Sequence, residues 1–113
     1  MDLTAAFCRI DLVTTDDGVT IQVHGDVDLA SAPLLDAAFA DVDGARVEVD
    51  LSEMTFCDGT GLGVLQRAHQ RFGRRLRITG ASPLVRRLAA ILDMDWLAAD
   101  IAEPAPGVPP TGL

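Results

Sequence analysis

Four stretches of the chain alternate apolar and polar residues with the two-residue period of a β-strand. One side carries Cys8, Ile10 and Leu12; Val19, Ile21 and Val23; Val47, Val49 and Leu51; and Leu76 and Ile78. Between them sit Arg9 and Asp11, Thr20 and Gln22, Glu48 and Asp50, and Arg75 and Arg77. Each strand thus has one polar face, which predicts a sheet covered on one side only. A doubly wound sheet, as in response-regulator receivers, needs central strands that are apolar on both faces. The pattern therefore counts against Asp58 as a receiver-type phosphoacceptor. Asp16-Asp17-Gly18 marks a tight turn that joins the first two strands as a hairpin.

Elsewhere the apolar period lengthens to that of a helix. The first helix begins near Ser31, tolerates Pro33 in its first turn, and buries Leu35, Ala38, Phe39 and Val42. A second runs from about Thr60 to Phe72, with Leu62, Leu65, Ala68 and Phe72 inward and Gln66, Arg67, Gln70 and Arg71 outward. The third opens with Ser82 as N-cap and Pro83 in the first helical position, and buries Leu84, Val85, Leu88 and Leu92. A short final strand or helix falls near Trp96 to Ile101. From Glu103 the chain has four prolines and two glycines, which predicts a disordered tail over 103–113 behind a domain spanning 1–102. The order is β-β-α-β-α-β-α, an α/β domain with a mixed sheet of four to five strands and helices mainly on one face.

At 113 residues and 49% apolar content the chain suits one core and not two. Its formal charge of -8 argues against nucleic acid and against anionic membrane surfaces, which need a cationic face. The charge is uneven: thirteen of seventeen acids lie in the first 58 residues, and seven of nine arginines fall between Arg67 and Arg87. A protein partner with a basic patch fits this balance best. All nine cations are arginine, and tyrosine is absent as well. Without lysine there is neither a Walker A loop nor a Schiff base. Cys8 and Cys57 form no metal or redox spacing, and no metal or cofactor is expected. The N-terminus lacks a basic leader, and no run is long and apolar enough for a membrane span. A cytoplasmic protein without membrane insertion is the expectation.

The chemistry of interest is concentrated in Cys57-Asp58-Gly59-Thr60-Gly61-Leu62-Gly63-Val64-Leu65, which joins a strand to a helix through three glycines, a hydroxyl and a carboxylate. It resembles the signature Asp-Ser-(Ser/Thr)-Gly-Leu-Gly-Val of STAS-domain anti-sigma-factor antagonists. The likeness covers about residues 7–101. Gly25-Asp26-Val27-Asp28 leads into the first helix where the family shows Gly-Glu-(Leu/Ile)-Asp, and Val49-Asp50-Leu51 precedes the signature. Ser82-Pro83-Leu84-Val85-Arg86-Arg87-Leu88 matches the third helix. The resemblance implies a STAS-like domain that binds an anti-sigma factor with a kinase-like ATPase fold and is switched off when that serine kinase phosphorylates it. The phosphoacceptor position implied by the family is occupied here by Gly59, which has no hydroxyl.

Thr60 is the only hydroxyl left in the motif. It reads either as the N-cap of the second helix, worth about 1 kcal/mol, or as a displaced phosphoacceptor. A phosphate there gains from the helix N-terminus and is repelled by Asp58. The cap is the favoured reading, and it leaves a domain that binds its partner without the usual off-switch. Asp28 and Asp58 are the candidate partner contacts, with Gly59, Thr60, Gly61 and Leu62 beside them. The alternative for Asp28 is a cap or turn residue before the first helix, for Asp58 a turn-forming carboxylate, and for Leu62 a place in the core. Cys57 is expected to pack inward. His24 and His69 lack metal-ligand spacing and carry no assigned chemistry. No base and nucleophile fall at a catalytic spacing, so a non-catalytic module is expected. The alternative function is an accessory subunit of a lipid-trafficking ABC transporter, docking on its ATPase through the same loop. A hydroxyl beside the signature aspartate helps that contact in such subunits, so Gly59 counts against it.

Overall fold

The computed structural model describes residues 2–5, 7–42 and 46–98. The tail 103–113, and the stretch after Ala98 expected to complete a final element, lie outside the described residues. Five strands form one mixed sheet: β1 (Asp2–Ala5), β2 (Cys8–Thr15), β3 (Gly18–Val27), β4 (Arg46–Cys57) and β5 (Leu76–Ala81), paired in that spatial order. The β1–β2 and β2–β3 pairs are antiparallel, whereas β3–β4 and β4–β5 are parallel. Helix α1 (Ala32–Ala40) connects β3 to β4, and α2 (Gly59–Phe72) connects β4 to β5. Helices α3 (Pro83–Ile91) and α4 (Asp95–Ala98) follow.

The alternation fixes which side is covered. Ile10, Ile21, Val23, Val47, Val49, Leu51 and Ile78 form the floor of a core closed by Leu35, Phe39, Val64, Leu65, Ala68, Phe72 and Val85. The opposite face carries Arg9, Asp11, Thr20, Gln22, His24, Glu48 and Asp50, and no described helix covers it. The hairpin holds as expected, with Thr15 opposite Gly18 across Asp16 and Asp17.

Three expectations need correction. A strand precedes the first expected one: β1 pairs Leu3 with Ile10 and Ala5 with Cys8, extending the sheet from its antiparallel edge. Helix α2 starts at Gly59, with Asp58 and not Thr60 as its N-cap. In α3 the inward residues are Val85 and Ala89, while Leu84 and Leu88 are half-buried and Leu92 is 44% exposed. The physical reason is that α3 ends at Ile91 and the chain reverses at Asp93, whose φ is 54°. The reversal brings Met94 and Leu97 into the core in place of Leu92.

Candidate partner-docking site

The carboxyl ends of the parallel strands carry the candidate residues. At the end of β4, Asp58 has extended backbone (φ -95°, ψ -174°), and its Oδ1 accepts from the Gly61 amide at 3.0 Å. A carboxylate one residue before the first helical turn reaches an otherwise unpaired amide and faces the positive end of the helix. Thr60 lies inside the first turn with helical backbone, so it cannot serve as the cap; it is exposed, as is Gly59.

The two glycines that flank Thr60 do opposite work. A Cβ at Gly59 would meet nothing within 4 Å. A Cβ at Gly61 would lie 2.8 Å from Val27 Cγ1, 2.9 Å from Cys57 Sγ and 2.9 Å from the Val27 carbonyl oxygen. Gly61 therefore lets the first turn of α2 rest on the ends of β3 and β4, whereas nothing in the fold demands a glycine at 59. Leu62 is half-buried against the core and divides its surface between packing and solvent.

Asp28 comes to the same rim because β3 and β4 end together. Val27 is in register with Cys57, and the Asp58 amide donates to the Val27 carbonyl at 3.1 Å. The Asp28 carboxylate is engaged locally: Oδ1 accepts from the amides of Ala30 and Ser31, each at 3.1 Å. Ser31 Oγ accepts from the Asp28 amide at 2.9 Å, and its proton is shared between the Asp26 carbonyl (2.8 Å) and Asp28 Oδ1 (3.0 Å). The Ser31 hydroxyl, then its amide, hold the Asp28 carboxyl below the usual carboxylate range. Ser31 is thus a buried organiser of this loop that the sequence reading passed over. Its signal was the spacing, a hydroxyl three residues after an aspartate ahead of a helix. Leu29, beside Asp28, is 75% exposed and lines a shallow groove with Pro33, Thr60, Val64 and Arg67.

The two cysteines are buried thiols. Cys57 is buried, and burial together with the nearby charge of Asp58 pushes its thiol up to about 11, far from a nucleophilic thiolate at neutral pH. Burial likewise raises Cys8. His24 Nε2 lies 3.1 Å from Asp11 Oδ2 on the helix-free face, and His69 stacks on Trp96 with ring centroids 4.4 Å apart. Neither histidine belongs to the rim. Among the described residues, no group of three His, Cys, Asp or Glu side chains could hold a metal ion, and no helix is long and apolar enough to cross a membrane. Chemically, the arrangement offers carboxylates, exposed backbone and a free hydroxyl for recognition.

A compact α/β domain with a mixed sheet and an aspartate-capped, glycine-rich strand-to-helix junction is the architecture of a STAS domain. The chain belongs to this family: the family model described as Mlab, STAS domain, matches residues 10–99. No curated protein matches it significantly by sequence. Among solved structures, it is similar to an anti-sigma factor antagonist from Mycobacterium paratuberculosis, with TM-score 0.69 and 24% identity over 82% of this chain and 85% of that one. It is also similar to the anti-sigma factor antagonist SpoIIAA in its unphosphorylated form, with TM-score 0.60 and 19% identity over 77% and 84% of the two chains. A third likeness is to an antisigma-factor antagonist STAS domain from Rhodobacter sphaeroides, with TM-score 0.53 and 22% identity over 72% and 91%. At these identities the likenesses establish the shared fold.

Proposed function

We propose that the chain is a regulatory binding module, an anti-sigma-factor antagonist that docks on an anti-sigma factor with a kinase-like ATPase fold and performs no chemistry itself. The structural neighbours described as anti-sigma factor antagonists support this reading. The observation that carries it is the rim where Asp58, capping α2, and Asp28, tied by Ser31, end adjacent strands beside the exposed Gly59 and Thr60. Both carboxylates are held in fixed positions by local hydrogen bonds, so a basic surface on the partner meets a preorganised pair. Gly61 and Leu62 set the first helical turn behind them.

In this reading the partner's kinase activity finds no hydroxyl at Gly59. The exposed Thr60 is freed from capping, yet it sits one residue further into the helix and rotated by about 100°, out of line with a γ-phosphate aimed at position 59. The antagonist then stays bound when ATP is present, without the usual off-switch.

The test is isolation of the tagged chain from its native cells with Asp58→Arg as control, followed by mass spectrometry of bound proteins. Recovery of a kinase-fold anti-sigma factor by the native chain and its loss in Asp58→Arg is the expected result. Incubation of that complex with ATP is expected to leave the chain unmodified, and Gly59→Ser to introduce phosphorylation. A stoichiometric phosphate on Thr60 would overturn the missing switch. Recovery of an ABC ATPase with membrane subunits would move the protein to lipid transport.

A further inference from the structure

The helix-free side of the same sheet end carries a feature that the docking site does not use. Of the four phenylalanines, Phe39 and Phe72 are buried with ring centroids 6.1 Å apart, whereas Phe7 is 77% and Phe56 47% exposed. The two exposed rings flank Asp26. The Asp26 amide donates to the Phe7 carbonyl at 2.8 Å on one side, and Asp26 is in register with Phe56 on the other. Two strand spacings place their backbones about 10 Å apart. The residues that follow in each chain, Cys8, Val27 and Cys57, are all buried. Asp26 and Phe56 precede the inward Val27 and Cys57 and so fall on the face turned away from the helices, and Phe7, in the β1–β2 turn, lines a hollow with Arg9 and His24 of that face.

Backbone contacts place these three residues side by side. Gly25 has φ 88°, and a Cβ there would collide with the Phe7 carbonyl oxygen, so the absence of a side chain lets the β1–β2 turn close onto β3. On the other side, Thr55 Oγ1 donates to Asp26 Oδ1 at 2.6 Å. The local charge is negative. Arg9 and His24, the basic groups of the hollow beside Phe7, both lean on Asp11, at 3.4 and 3.1 Å. Asp26 and the exposed Glu53, which pairs in register with His24, add carboxylates to the same region.

We infer that Phe7, Asp26 and Phe56 form a second docking surface, for a cationic segment of a protein partner that sets an aliphatic side chain between the rings and an arginine or lysine against Asp26. Two exposed aromatic rings around a carboxylate complement such a segment through burial and cation–π contact. The protein already makes the latter internally, where the Arg71 guanidinium lies 4.7 Å from the Phe72 centroid. The surface lies across the sheet from α2, so its occupant and a partner on the Asp58 rim bind side by side.

The test titrates the 15N-labelled full chain with a capped peptide of alternating arginine and leucine, and separately with its glutamate–leucine counterpart. The basic peptide alone is expected to shift the amides of Phe7, Gly25, Asp26 and Phe56. The doubly substituted Phe7→Ser, Phe56→Ser chain is expected to bind about tenfold more weakly, and Asp26→Asn, which leaves both rings in place, about threefold more weakly. Shifts confined to other surfaces, equal binding of the acidic peptide, no shift at all, or unchanged affinity in a double variant folded by circular dichroism would each overturn the inference. So would dimerisation abolished by the double substitution, which would assign the surface to a second copy.

Discussion

Two aspartates end adjacent strands and each precedes a helix, yet the structure treats them differently. Asp28 sits in a closed loop: Ser31 satisfies its carboxylate, its amide and the Asp26 carbonyl together, and the hydroxyl that does so is buried. Asp58 sits in an open one, where a single cap bond to Gly61 is followed by exposed Gly59 and Thr60. The first junction is built as an internal network, which is costly to disturb. The second is built as a surface, where most of the backbone faces outward and one tight contact, at Gly61, locates it. The contrast shows how a fold can hold two carboxylates at one rim while leaving only one loop free to vary.

The comparison makes graded predictions. The largest effect belongs to the tight contact. Gly61→Ala drives a methyl into Val27 and Cys57, with the Val27 carbonyl unable to yield, and should lower stability by about 2–3 kcal/mol in denaturant unfolding. A fully stable Gly61→Ala chain would mean that α2 is free to shift, and the two junctions would no longer differ in rigidity.

Next comes the closed network. Ser31→Ala leaves the Asp28 amide and the Asp26 carbonyl without their partner and should cost about 2 kcal/mol. It should also raise the Asp28 carboxyl toward its ordinary range, as read by NMR titration. The sign follows from a folded-state value held below the unfolded one. The contribution is present above the unfolded carboxylate pKa and is lost as pH falls through the folded value. Ser31→Ala should therefore shrink the acid-side loss of stability, and an unchanged acid limb would break the assignment.

The open junction should respond less. Asp58→Ala removes one cap bond and should cost about 1 kcal/mol, with a larger effect on partner binding than on the melting temperature. Gly59→Ser has open space for its side chain and should change stability by less than about 0.5 kcal/mol. A strongly destabilised Gly59→Ser chain would show that this glycine is structural after all.

Much of this was legible in the residues. The alternation through Val47, Val49 and Leu51, and through Val19, Ile21 and Val23, gave the strands and their covered side, because one face of each must leave water. The Asp16-Asp17-Gly18 hairpin and the Ser82-Pro83 helix start were equally plain, since local hydrogen bonding and proline geometry decide them. Asp2-Leu3-Thr4-Ala5 was not legible: four residues with two small or short side chains carry too little periodicity, and only pairing to β2 makes them a strand. Leu92 was misplaced because periodicity does not say where a helix stops. Thr60 was misassigned as a cap because a threonine and an aspartate two residues apart are both capable of it, and the choice rests on which residue keeps extended backbone.

By itself, then, the sequence determined the covered and uncovered faces of the sheet, the order of the elements from β2 to α3 and the missing hydroxyl at Gly59. These follow from side-chain chemistry and period, which are local properties. Only the tertiary structure decided that Asp58 caps α2, that Ser31 closes the Asp28 loop, that Gly61 but not Gly59 is needed for packing, and that Phe7 and Phe56 flank Asp26. The first two are bonds between residues three apart, chosen by the backbone conformation at the helix start; the last two depend on segments remote in the chain arriving at one strand end, at distances set by the sheet register, which no local pattern encodes.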